Sequence, residues 1–167
     1  MQRKQHIEKG FSLIEVLVTL IIVSIGVMGV IGMQLMSARN VNNAEMRSLA
    51  SYFAYDMAER MRANPTGVTA GNYSAIDGSE TDPGNSCTSA CSAAELAAYD
   101  AFIWNDMINN SIASNDGSTP RGLGVGAIGK VTLAAGVYTI DVSWNEQDRN
   151  ADGGTLLTQS LSIEFLL

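Results

Sequence analysis

The sequence predicts an α+β chain in which one long N-terminal helix packs on a C-terminal antiparallel β-sheet. Three observations predict it. Residues 11–36 form a nearly unbroken apolar run, and about 20 such residues suffice to span a bilayer. Met46, Leu49, Ala50, Phe53, Met57 and Met61 then recur at three- and four-residue steps, so the helical period continues with one apolar face. In the last third, apolar and polar residues alternate, which is the period of a strand with one buried face.

The first element follows a short leader carrying Arg3, Lys4, His6, Glu8 and Lys9. Its basic residues predict a cytoplasmic N-terminus by the positive-inside bias. A secretory signal peptide is not expected, because there the apolar region precedes the cleavage site. Here it follows Gly10, Phe11, Ser12, Leu13, Ile14 and Glu15. Glu15 is the unusual residue. A carboxylate at bilayer depth costs about 2.5–3.5 kcal/mol on insertion scales and ordinarily marks function.

This Gly-Phe-Ser-Leu-Ile-Glu stretch, followed by an apolar helix, resembles the class III signal of type IV pilins and their secretion-system relatives. The resemblance implies that prepilin peptidase cuts between Gly10 and Phe11 and N-methylates Phe11. It also implies that Glu15 meets the terminal amine of a neighbouring subunit. That amine would be largely cationic near neutrality, with an ordinary pKa of about 8. Pairing it with Glu15 in a low-dielectric bundle would favour entry of each subunit at one axial step.

The helix is expected to run from 11 to about 63, some 80 Å at 1.5 Å per residue. Asn64-Pro65 disfavours continuation beyond it. Asp56 and Arg60 are spaced to pair on one face. A coiled-coil stalk is the other reading of residues 39–63. Gly26, Gly29 and Gly32 recur every three residues in the membrane half. They suit close helix packing or a segment that softens on assembly. Many major pilins carry proline where this chain has Gly32, a departure that points away from a bulk fibre subunit.

Residues 64–91 are rich in Gly, Ser, Thr, Asn and Asp and read as a long irregular connection. Cys87 and Cys91 close it, and an oxidising compartment favours a disulfide between them. Ser92 and Glu95 form a capping box that opens a helix over 92–112. Leu96, Tyr99, Phe102, Ile103 and Met107 mark its expected buried side, with Asp100 and Asp106 on the wet side. A sheet over about 125–167 follows. Val131 and Leu133 suggest its first strand. Tyr138, Ile140, Val142 and Trp144 form the inward row of a second, and Leu157, Leu161, Ile163 and Phe165 that of a third.

Charge and composition exclude several functions. The chain has 10 basic and 17 acidic residues, and loss of the leader leaves 7 and 16, a balance of −9. Such a body does not bind nucleic acid, which requires a basic surface. The single histidine lies in the leader, so a mature chain would lack His-dependent triads and most catalytic zinc sites. No catalytic residue, cofactor or metal is expected. Asp148, Asn150, Asp152 and Gly153 match half of a calcium loop, but Gln159 stands where a bidentate glutamate is needed. A polar hairpin turn is the better reading.

The order of elements is similar to the type IV pilin fold. Met57 through Pro65, the Asp100–Trp104 region and the Tyr138–Trp144 strand are most similar to the minor pilins called PilV. That resemblance implies a leader over 1–10, a transmembrane assembly helix over 11–36 and a periplasmic domain over 37–167. It implies a non-enzymatic minor pilin that primes pilus assembly from the inner membrane and sits at or near the fibre tip. Its partners would be other minor pilins, the major pilin, prepilin peptidase, the inner-membrane assembly machinery, membrane lipid and a tip adhesin. A type II secretion pseudopilin is the nearest alternative. A tethered periplasmic enzyme or binding module is a third.

Overall fold

The structure, a computed structural model, describes residues 10–88, 90–109, 122–124, 126–147 and 156–166. The chain divides into two compact units, one ending at Asn42 and the other beginning at Asn43. A 51-residue helix, α1 (Leu13–Ala63), contributes to both.

In the first unit α1 starts where the Ser12 carbonyl accepts the Glu15 and Val16 amides at 3.0 and 3.3 Å. Every residue from Gly10 to Asn42 is exposed. This part of the helix is long and apolar enough to cross a membrane. Thr19 and Ser24 donate their hydroxyls to the Val16 and Leu20 carbonyls, at 2.8 and 2.7 Å. Both are thereby satisfied without water.

In the second unit α1 is amphipathic. Ala50, Phe53, Ala54, Met57, Ala58 and Met61 are buried, and each large apolar side chain buried contributes about 1.5–3 kcal/mol. The helix stops at Ala63 as the proline predicts, but residues 64–91 are not irregular throughout. Pro65 begins α2 (Pro65–Thr69), with the Asn64 side chain capping it through the Gly67 amide at 3.1 Å. Proline is tolerated there because the first amides of a helix lack intrahelical partners. A two-residue strand, β1 (Ala75–Ile76), follows.

The capping box opens α3 (Ala93–Asn109). The Ser92 amide donates to Glu95 at 2.8 Å and the Glu95 amide donates to the Ser92 hydroxyl at 3.3 Å. Residues 110–112, the end of the expected helix, lie outside the described residues. Three longer strands complete an antiparallel sheet of order β1-β2-β3-β4: β2 (Ile128–Ala134), β3 (Val137–Gln147) and β4 (Leu156–Phe165). Ala135 and Gly136, with φ of 50° and 83°, turn β2 into β3. Two positive φ values suit the right-handed twist of a hairpin.

The inward row of β3 is as expected: Tyr138, Ile140, Val142 and Trp144 are all buried. The row on β4 is not. Only Phe165 is buried there, Leu161 and Ile163 are half-buried, and Leu157 is exposed. Leu133 on β2 is likewise exposed. α3 is turned relative to expectation. Its buried face is Ala97, Asp100, Ala101, Trp104, Asn105 and Ile108, while Leu96, Tyr99, Phe102, Ile103 and Met107 are half-buried. The small Ala97 and Ala101 allow the helix to approach its neighbours closely. Trp104 reaches through to donate its indole N–H to the Phe53 carbonyl at 2.8 Å. Gly129 on β2 lies under that indole, and a Cβ there would run into the ring.

Candidate functional site

Two groups of residues stand apart from ordinary packing, one in each unit. In the first unit the chain leads from Gly10 and Phe11 into α1, and Phe11 is 80% exposed. Glu15 sits in the first helical turn. Among the described residues it has neither hydrogen bond nor ion pair. The two hydroxyls of the same apolar stretch close onto their own helix, whereas this carboxylate has no acceptable partner within it. In a bilayer or a helix bundle such a carboxylate is costly unless it is paired, protonated or held at the interface.

In the second unit a polar cluster ties four segments together. Arg60 on α1 pairs with Asp56 at 2.8 Å, the spacing noted in the sequence, and with Asp100 of α3 at 3.2 Å. Asp100 accepts the Tyr73 hydroxyl at 2.7 Å on its other oxygen. Asn64 donates to the Tyr73 oxygen at 3.1 Å and to the Ala93 carbonyl at 2.8 Å, while its own oxygen caps α2. Burial pushes the Tyr73 hydroxyl well above its ordinary pKa, and its bond to Asp100 adds to that. Burial opposes the charge on Arg60, but the hydrogen bonds and charges of Asp56 and then Asp100 outweigh it and raise its pKa. Asp100 is therefore not on the wet side. It is 6% exposed, because Arg60 and Tyr73 replace the water it gives up.

Three smaller arrangements lock the same unit. Glu146, 8% exposed on β3, accepts the Trp144 indole N–H at 3.1 Å and faces Arg47 of α1 at 3.5 Å. Asn105 on α3 donates to Glu80 at 2.9 Å and accepts the Gly129 amide at 2.8 Å. Tyr138 reaches α2 by donating to the Val68 carbonyl at 2.7 Å.

Cys87 and Cys91 have their Cα atoms 5.5 Å apart and their sulfur atoms in bonding contact. They precede the capped start of α3, where the hydroxyl and amide of Ser92 hold Glu95 below the usual carboxylate range. His6 and the segment Asp148–Gly153, expected as a hairpin turn, lie outside the described residues. Among the described residues no three His, Cys, Asp or Glu side chains are grouped to hold a metal. A pocket between Gly78, Glu80, Phe102, Asn105, Asp106 and Asn109 measures about 140 Å³, below the roughly 300 Å³ at which ligand sites begin. A second hollow, beside Pro65, Thr66, Thr69 and Ala70, measures about 470 Å³ and has no charged side chain in its lining.

Sequence reasoning singled out Gly10, Phe11, Glu15 and both cysteines, and it anticipated the Asp56–Arg60 pair that the structure shows. It missed Asn64, Tyr73, Asp100, Asn105 and Glu146. One signal was present: Ala97, Asp100, Ala101, Trp104 and Ile108 share a helical face, and Arg60 could face a second acid across it. The stretches 57–65, 100–104 and 138–144, distant in sequence, contribute to one interior.

A family model described as type IV pilin Tt1218 matches residues 32–102. A second, described as the prokaryotic N-terminal methylation motif, matches residues 6–31. The first covers Arg60, Tyr73 and Asp100, and the second covers Gly10, Phe11 and Glu15. No curated protein matches the chain, and no solved structure does.

Proposed function

We propose that this chain is a type IV pilin-like protein, structural rather than enzymatic, and a minor pilin of the PilV kind; the two family matches, over residues 6–31 and 32–102, support the pilin part of this reading. It is made with a leader over residues 1–10, and prepilin peptidase cuts between Gly10 and Phe11 and methylates Phe11. Residues 11–36 then hold it in the inner membrane, with residues 37–167 in the periplasm. Cys87 and Cys91 form a disulfide there. The protein joins other minor pilins and the major pilin, primes fibre growth through the inner-membrane assembly machinery, and ends at or near the tip beneath an adhesin.

The unpartnered Glu15 carries this reading. The cation it needs is the Phe11 amine of an adjacent subunit, which exists only after cleavage. Mass and N-terminal sequence of the protein from native membranes test the first step. The expected result is a chain starting at methylated Phe11 and lacking two hydrogens at the cysteines. A chain that keeps Met1 in cells with active prepilin peptidase would reduce α1 to a plain anchor. Glu15→Ala tests the second step. It is expected to be cleaved and inserted normally yet to lose most co-purifying pilins, and full co-purification would refute the pairing.

A further inference from the structure

β4 is the last strand of the sheet, and among the described residues no strand lies along its outer edge. The edge is long, Leu156–Phe165, and its inner side pairs with β3 at every position without a bulge. Edge strands are ordinarily blunted by shortness, lysine, proline or a bulge. The opposite edge, β1, is blunted in this way, being two residues long. β4 has no lysine and no proline, and its one charge is Glu164. Its core side is also incomplete. Val142 and Ile140 are buried, but their β4 neighbours Leu161 and Ile163 are half-buried, and Leu157 beyond them is 45% exposed. The apolar surface of the sheet thus continues past its cover.

We propose that the β4 edge accepts an extended strand from a different polypeptide, which adds a fifth strand to the sheet. Backbone hydrogen bonds supply affinity in this mode and alternate side chains supply selectivity. The charge pattern defines the occupant. On the outer face Asp141 stands opposite Lys130, whereas Glu164 stands opposite Thr139, with no cation across from it. The incoming strand therefore has apolar residues on the side of Leu157, Leu161 and Ile163, and Lys or Arg opposite Glu164. A second copy of this chain is a poor fit. Its acidic residues outnumber its basic ones by 17 to 10, and its own β4 offers no cation. The inference rests on the pilin reading only for the shared membrane, which keeps the partner at high effective concentration.

The test is photo-crosslinking in native membranes with p-benzoylphenylalanine in the full chain at Ser160 on the edge. Thr132 on the outer face of β2 and Leu17 in the membrane helix are the reference positions. Ser160 is expected to capture another polypeptide, and its cross-linked peptide should alternate apolar and polar residues and include Lys or Arg. Thr132 should not capture it. Glu164→Lys should lower the yield about tenfold, and Glu164→Gln should lower it less. Capture of a second copy, of an acidic or non-alternating peptide, or equal capture from Thr132 overturns the proposal. So does no capture at Ser160 while Leu17 captures pilin-type subunits, and then the assembly reading stands. Failure at both positions removes the assembly reading and the edge proposal together.

Discussion

Glu15 and Asp100 are both carboxylates set among apolar side chains, and the chain treats them in opposite ways. Asp100 is enclosed and supplied with two partners, Arg60 at 3.2 Å and Tyr73 at 2.7 Å. Glu15 lies on a helix exposed on every side and has no partner among the described residues. The same contrast runs along α1. From Asn43 onward one face of the helix is covered, half-buried at first and fully buried from Ala50, and before Asn43 every described residue is exposed. Among the described residues the second unit supplies partners for its buried charges, whereas the first supplies none for Glu15.

The sharpest way to break this contrast is to remove a buried side chain from the completed half. Phe53→Ala deletes a ring from a residue that is 4% exposed and whose backbone carbonyl accepts the Trp104 indole N–H. A cost of about 3–5 kcal/mol is expected, read as the unfolding free energy of the full chain in detergent. A loss below about 1 kcal/mol would mean that this half of α1 is not a core helix.

Asp100→Ala ranks next. It leaves Arg60, 24% exposed, with only Asp56, and leaves the Tyr73 hydroxyl without its acceptor. Breaking a buried pair from one side costs about 3–5 kcal/mol, and the remaining exposure of Arg60 places this case at the lower end. If the change is neutral, Asp100 belongs on the wet side after all.

Tyr73→Phe is smaller, about 1–3 kcal/mol, because one buried acceptor on Asp100 and one donor on Asn64 lose their partner. It also predicts a pH signature. The folded state raises the Tyr73 pKa, so the folded chain keeps a proton that the unfolded chain releases near pH 10. Its contribution is full below that pH and fades as pH rises through the folded-state value. The parent should lose stability above about pH 10 faster than Tyr73→Phe, and parallel alkaline curves would contradict the cluster.

Such a cluster explains what the sequence could and could not disclose. Local rules identified the helix stop at Ala63, the capping box at Ser92 and the inward row of β3, because each depends on residues adjacent in the chain. The orientation of α3 depends on Arg60, forty residues earlier. A charge counts as a surface residue until its partner is known, so Asp100 was placed outside. The α2 cap depends on an asparagine that also serves Tyr73 and Ala93. β4 misled for the opposite reason: its alternation is real, but the surface that would cover it does not come from the described part of this chain. Ser92→Ala probes the local end of this scale. It should lower the midpoint by a few degrees. The part of this effect that runs through Glu95, whose pKa is depressed in the folded state, is present above about pH 4 and lost as pH falls through the folded-state value. Identical acid curves for parent and variant would remove the capping box as a contributor.

The smallest effect on the domain should come from the same kind of change made in the other half of α1. Ile22→Ala removes an apolar side chain, as Phe53→Ala does, but Ile22 is 64% exposed, outside the core formed by the described residues. No cavity forms, so no cavity term arises, and helix propensity shifts slightly in favour of alanine. Unfolding of the full chain in detergent should therefore be unchanged within error. The cost should appear only where other molecules cover the helix. In native membranes fewer pilin-type subunits should co-purify, since Ile22 then packs against lipid or a neighbouring helix and its loss weakens that packing. A large stability loss in detergent would show that the N-terminal half folds against the rest of the chain. The contrast between a helix segment that carries a core and one that carries none would then not hold.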